Sequence, residues 1–131
     1  MAAAARRMAA VTRVLAVDDD PHICQLMTEM LSGETVEVEC VRTDREAIRR
    51  LDDDGYSALI VDINLGAGVT GFDLARHARR VDPGVAVIYI SGQASKRSYD
   101  AFAVRGAMFV EKPFTETELR KALEKALGKR R

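Results

Sequence analysis

Apolar runs and helix-period stripes alternate five times along the chain. Val14-Leu15-Ala16-Val17 is apolar throughout and reads as a strand buried on both faces. Asp20-Pro21 follows, an N-cap with proline at the first helical position. Ile23, Leu26, Met27, Met30 and Leu31 then fall on one helical stripe, and Gly33 fits its stop. Val36–Val41 alternates valine with glutamate and cysteine, the pattern of a strand near a sheet edge. Thr43 to Glu46 has capping-box spacing and opens a helix carrying Ala47, Ile48 and Leu51, broken at Asp54-Gly55. Ala58-Leu59-Ile60-Val61 is again wholly apolar, as a central parallel strand should be. Beyond the glycine-rich stretch Gly66 to Gly71, Phe72, Leu74, Ala75 and Ala78 form the stripe of a third helix that ends at the turn Asp82-Pro83-Gly84. Val85–Ile90 and Ala107–Val110 read as strands, with a helix over about Lys96–Val104 between them. Thr115 to Glu118 is a second capping-box sequence, before a helix with Leu119, Ala122, Leu123, Ala126 and Leu127 on one face.

Strands alternating with helices imply βαβ units with right-handed crossovers. Five of them predict an α/β fold: a doubly wound parallel sheet covered on both faces. A chain of 131 residues fits one domain, here 12–131. Residues 1–11, alanine-rich with Arg6 and Arg7, read as a flexible N-terminal extension. They have neither the serine of a transit peptide nor the apolar run of a secretory leader.

Charge removes some functions. Lysine plus arginine equals aspartate plus glutamate at 20 each, which gives no bulk attraction to nucleic acid or anionic membrane. No apolar run approaches the ~20 residues of a membrane span. Cys24 and Cys40 lack metal-site or disulfide-framework spacing and read as reduced, buried thiols of a cytoplasmic protein. His22 and His77 read as surface positions, Met27 and Met30 as core, and Lys129-Arg130-Arg131 as a solvated helix end suited to the helix dipole.

In open α/β sheets ligands bind beyond the carboxyl ends of the strands. Strand one ends in Asp18-Asp19-Asp20, strand three in Asp62, strand four in Ser91 and strand five in Lys112. Crowded carboxylates repel unless a cation joins them, and hard oxygen ligands select Mg²⁺ or Ca²⁺. Asp19 and Asp62, with Asp18 beside them, could hold Mg²⁺. Lys112 and Ser91 suit a phosphoryl group, one as a point charge and the other as a hydrogen-bond donor. An aspartate can act as nucleophile to form an acyl phosphate.

These four strand ends resemble the receiver domain of two-component response regulators over about residues 12–128. The matching pieces are Val-Asp-Asp-Asp-Pro at 17–21, Leu-Ile-Val-Asp at 59–62 with Gly71-Phe72 after it, Tyr89-Ile90-Ser91-Gly92, and Glu111-Lys112-Pro113-Phe114. The resemblance implies a flavodoxin-like (βα)5 fold of strand order 2-1-3-4-5. It implies Asp62 as phosphoacceptor, Asp18, Asp19, Asp62 and the Asn64 carbonyl around Mg²⁺, and Lys112 and Ser91 on the phosphoryl group. Ser91 and Phe109 take the switch positions, and Asn64 and Gln93 the positions that tune the phosphoryl lifetime. The implied partners are a sensor histidine kinase or histidine phosphotransfer protein and a downstream protein, or a second copy through helix four, strand five and helix five. Chemistry would be limited to self-catalysed phosphotransfer and slow autodephosphorylation, in a bacterial-type cytoplasm.

Two departures from the family pattern flank this site. The loop from Asn64 to Gly71 is one residue longer, with Gly66 where proline is usual, and Gly106 to Phe109 is one residue shorter. Three other functions compete. A haloacid-dehalogenase-type phosphatase would share the Asp-x-Asp spacing of 18–20, but has no use for Asp62 and expects Thr or Val at His22. A flavin module would need a phosphate loop where three aspartates stand. A pseudo-receiver would have lost chemistry whose residues are all present here.

Overall fold

The computed structural model describes residues 11–66, 68–92 and 96–128. Residues 1–10 of the expected 1–11 extension, Gln93 and the basic end at 129–131 lie outside them. The elements run β1 (Thr12–Val17), α1 (Pro21–Leu31), β2 (Val36–Val41), α2 (Asp44–Asp53), β3 (Ala58–Asp62), α3 (Gly71–Val81), β4 (Ala86–Ser91), α4 (Lys96–Phe102), β5 (Met108–Glu111) and α5 (Glu116–Gly128). All pairings are parallel, in the order β2-β1-β3-β4-β5. The alternating strand β2 therefore sits at an edge, and the wholly apolar β3 at the centre.

Strand periodicity sorts the core into two layers. Leu15, Val17, Leu59, Val61, Val87 and Tyr89 face α2 and α3, while Val14, Ala16, Ile60, Ile88 and Ile90 face α1 and α5. Every residue of β3 is buried, and each large aliphatic side chain there contributes about 1.5–3 kcal/mol. Helix starts follow the capping residues. Asp20 accepts from the His22 amide at 2.8 Å, and Thr43 from that of Glu46 at 3.2 Å. At α5 the box is reciprocal: Thr115 Oγ1 accepts from the Glu118 amide at 3.1 Å, and Glu118 Oε1 from the Thr115 amide at 2.9 Å.

α1 stops just before Gly33, at an extended Ser32 whose amide bonds the Thr28 carbonyl. Two expectations need correction. The fourth helix stops at Phe102, two residues short of Val104, where the Val104 amide turns to donate to the Tyr89 hydroxyl at 3.2 Å. The cysteines are not separate thiols. Cys24 and Cys40 form a disulfide, with Cα atoms 5.6 Å apart. α1 covers the β2 face that carries Val36, Val38 and Cys40, so the crossover brings together two sulfurs whose separation in sequence carried no signal.

Candidate functional site

The carboxyl ends of β1, β3, β4 and β5 converge, as the strand-end residues required. One carboxylate oxygen from each of Asp18, Asp19 and Asp62 lies within 4.8 Å of the others. Asp18 is fully buried, Asp62 is 5% exposed and Ser91 1% exposed, while Asp19 is open to solvent. The strands deliver them because each apolar run ends one residue before its polar one, at the edge where the covering helices begin.

Lys112 reaches in from the end of β5. Its ammonium stands 2.8 Å from Asp18 Oδ2 and 3.1 Å from Asp62 Oδ2. Burial works against the Lys112 charge, but the two carboxylates outweigh it and raise its pKa. Burial pushes the Asp18 carboxyl up, reinforced by the Asp62 charge and opposed by Lys112 and the Asp20 amide. That amide donates to Asp18 Oδ1 at 2.9 Å, whereas buried Oδ2 accepts no well-directed hydrogen bond and has the Lys112 ammonium as its charge partner among the described residues. Among the described residues one ammonium serves two of these three clustered acids, with one carboxylate oxygen under-satisfied. That donor set fits a divalent cation bound by hard oxygens.

The amide of Asn64 donates to Asp62 Oδ1 at 3.0 Å, and its side-chain Nδ2 donates to Ser91 Oγ at 3.1 Å. A residue expected to be a carbonyl ligand and lifetime position thus also ties the end of β3 to the hydroxyl on β4. The longer β3–α3 loop is accommodated by glycines in left-handed conformations, Gly66 at φ 84° and Gly68 at φ 107°. α3 then starts hard against the end of β3. A Cβ on Gly71 would stand 2.9 Å from Ile63 Cα and closer still to the Asp62 carbonyl oxygen.

Phe109 is half-buried on β5 and rests on Tyr99, ring centroids 5.1 Å apart. Tyr99 meets Tyr89 at 5.7 Å, and Tyr89 meets Phe72 at 5.1 Å. This aromatic row spans α3, β4, α4 and β5, and sequence reading missed it. Its members have no common period; only the apolar stripe of each separate element marked them. Also missed was the capping box at α3, where Thr70 Oγ1 accepts from the Asp73 amide at 3.2 Å and Asp73 Oδ2 from the Thr70 amide at 3.1 Å. His77 is half-buried and sits 2.7 Å from Asp52 on α2, away from the acidic cluster's residues, while His22 is exposed.

Known proteins share this fold, and several resemble the chain in sequence along most of its length. The family model of the response regulator receiver domain matches residues 14–124. The response regulator receiver protein CpdR of Brucella abortus is 29% identical over 116 residues, covering 88% of this chain and 96% of its own length. The C4-dicarboxylate transport transcriptional regulatory protein DctD of Pseudomonas aeruginosa is 31% identical, covering 93% of this chain, which spans only 26% of that relative. A response regulator receiver protein from Sinorhizobium medicae superposes with a TM-score of 0.86 at 27% identity, covering 92% of this chain and 98% of its own. A CheY-like receiver domain protein from Methanospirillum hungatei gives 0.79 at 27%, covering 92% and 96%. With the family model spanning most of its length, this chain belongs to the response-regulator receiver domains of two-component systems.

Proposed function

We propose that this chain is a phosphorylation switch in which Asp62 accepts a phosphoryl group from a histidine kinase or phosphotransfer protein. The observation that carries this reading is the convergence of Asp18, Asp19, Asp62, Lys112 and Ser91 at one sheet edge, with a buried Asp18 oxygen lacking a directed partner. Asp18, Asp19, Asp62 and the Asn64 carbonyl would hold Mg²⁺, which when bound supplies positive charge for phosphoryl oxygens. An Asp62 oxygen attacks phosphorus as the bond to the donor's leaving group breaks. The Lys112 ammonium moves its attention from carboxylate to phosphoryl oxygen, and the Ser91 hydroxyl exchanges Asn64 for another. Phe109 follows Ser91, and the face of α4, β5 and α5 carries the change to a downstream protein or a second copy. Asn64 and Gln93, both neutral amides, set how long the phosphoryl group persists.

The chain would have no turnover of its own beyond this self-phosphorylation and slow autodephosphorylation. Residues 12–131 form the switch unit and 1–11 an extension to it, in a cytoplasmic setting. Among the described residues no helix is long and apolar enough to cross a membrane.

Incubation with Mg²⁺ and acetyl phosphate, followed by intact mass, tests this reading. One phosphoryl group is expected, absent without Mg²⁺ and absent in Asp62→Ala. No added mass, together with no response to beryllofluoride, would leave a pseudo-receiver. Turnover of small phosphomonoesters would instead favour the phosphatase.

A further inference from the structure

We propose that the Cys24–Cys40 disulfide is a thiol-exchange site that clamps the acidic pocket. This rests on the cation-binding reading of that pocket. The bridge ties the first turn of α1 to the end of β2, closing a loop over a sequence separation of 16. Both ends of that loop meet the strand end that carries the acids. The Asp18 amide donates to the Val41 carbonyl at 3.1 Å, and the Cys24 amide to the Asp20 carbonyl at 3.1 Å. The Cys24 sulfur itself lies 3.5 Å from the Asp18 carbonyl oxygen and 3.7 Å from that of Val41.

A disulfide sulfur carries no proton, so in the oxidised chain it gives these carbonyls no hydrogen bond. Reduction gives Cys24 an S–H whose nearest acceptors are those two oxygens. Asp18 thus has its carbonyl against the redox-active sulfur and its carboxylate against Lys112. Reduction changes the first contact and removes the tether between α1 and β2. The oxidised form holds Asp18 to Asp20 in place before a cation arrives, and pre-organisation of this kind favours binding.

Access is unequal. Cys24 is 8% exposed, whereas Cys40 is half-buried on the edge strand. A low-molecular-weight thiolate attacks the Cys40 sulfur, forming a mixed disulfide as Cys24 leaves as thiolate. A second thiolate attacks the carrier sulfur of that mixed disulfide and releases the small disulfide and the Cys40 thiolate. Each protein thiolate then takes a proton from water. The reverse sequence, driven by a low-molecular-weight disulfide, restores the clamp.

The test uses the full chain, equilibrated in low-molecular-weight thiol or in its disulfide, with intact mass reporting the two hydrogens that separate the forms. Mg²⁺ is titrated against the backbone amide signals of Asp18 to Asp20. The oxidised form is expected to bind Mg²⁺ at least about threefold more tightly, and Cys24→Ala/Cys40→Ala to bind weakly in both buffers. Equal affinity in the two forms overturns the proposal, as does a chain that stays reduced in excess disulfide. If neither form binds Mg²⁺, the cation reading has failed and hydrogen exchange decides the clamp. Faster exchange of the Asp18 amide on reduction then supports it, and equal exchange overturns it.

Discussion

The sheet carries two polar clusters built on opposite plans. At the carboxyl ends, three aspartates cluster and two of them face Lys112, and a buried Asp18 oxygen lacks a directed hydrogen bond. At the other cluster, gathered around Arg13 near the amino end of β1, Glu39 of β2 is fully matched. Its Oε1 takes Arg13 at 2.9 Å, and its Oε2 takes Arg50 at 2.7 Å and the Tyr56 hydroxyl at 2.9 Å. Arg13 also lies over the Tyr56 ring, 4.9 Å from its centroid, and donates to the Gly55 carbonyl. Burial pushes the Glu39 pKa up, but Tyr56, Arg13 and Arg50 prevail and hold it below the ordinary carboxylate range. A balanced cluster fastens strands and has nothing to gain from a ligand. An unbalanced one leaves the fold with a charge deficit that a cation or a phosphoryl transfer can use.

The largest expected effect comes from removing Lys112, the cation that the described residues place at the unbalanced end. Lys112→Met leaves Asp18 and Asp62 buried without a counter-charge and should cost about 2–4 kcal/mol in urea unfolding. Mg²⁺ should restore part of that loss, and restore more than it adds to the parent chain. If Mg²⁺ does nothing for the variant, the deficit is not a cation site.

Glu39→Gln should cost about 1–2 kcal/mol yet leave phosphoryl acceptance by Asp62 unchanged. Acid should also act on the two clusters with opposite sign. The Glu39 pKa is lowered by folding, so its stabilisation is full above the ordinary carboxylate range and lost as pH falls through the lowered value. The Asp18 pKa is raised, so its contribution is full below that range and lost as pH rises through the raised value. Melting temperature against pH should therefore lose part of its acid limb in Glu39→Gln, and fall less from acid to neutral pH in Asp18→Asn. Matching profiles for the two variants would erase the distinction.

Tyr56→Phe has the smallest effect, about 1 kcal/mol, because Glu39 keeps both arginines. In the parent chain burial, with Glu39 adding to it, pushes the Tyr56 phenol up to about 12. Its share of stability is whole below the ordinary tyrosine range and lost as pH rises toward that value. Burial also raises the Tyr89 phenol, so absorbance of tyrosinate during alkaline titration should show late-titrating phenols, one of which disappears in the variant.

The acidic end was legible in the sequence for a physical reason. An apolar strand that stops at a carboxylate announces a buried charge, and Val17-Asp18 and Val61-Asp62 both do so. Sheet order needed more, since periodicity finds strands but not neighbours; family resemblance supplied 2-1-3-4-5. The Glu39 network was invisible because its members stand on four separate segments, each with an unremarked polar residue. The disulfide escaped for the same reason: Cys24 and Cys40 meet only after α1 has crossed back over β2. Helix ends were misjudged where a tertiary bond intervenes, as when the Val104 amide turns to Tyr89.

The crowding at Gly71 has a consequence for how this chain tolerates change. Insertions and deletions between Leu65 and Val69 shift a loop whose glycines absorb unusual dihedrals, so length there is negotiable. Position 71 is a fixed stake: any side chain strikes the backbone of Asp62 and Ile63. A randomised library selected for Asp62 chemistry should drift freely in loop length and composition while returning glycine at 71, so that the smallest residue is the one that draws the boundary of the loop.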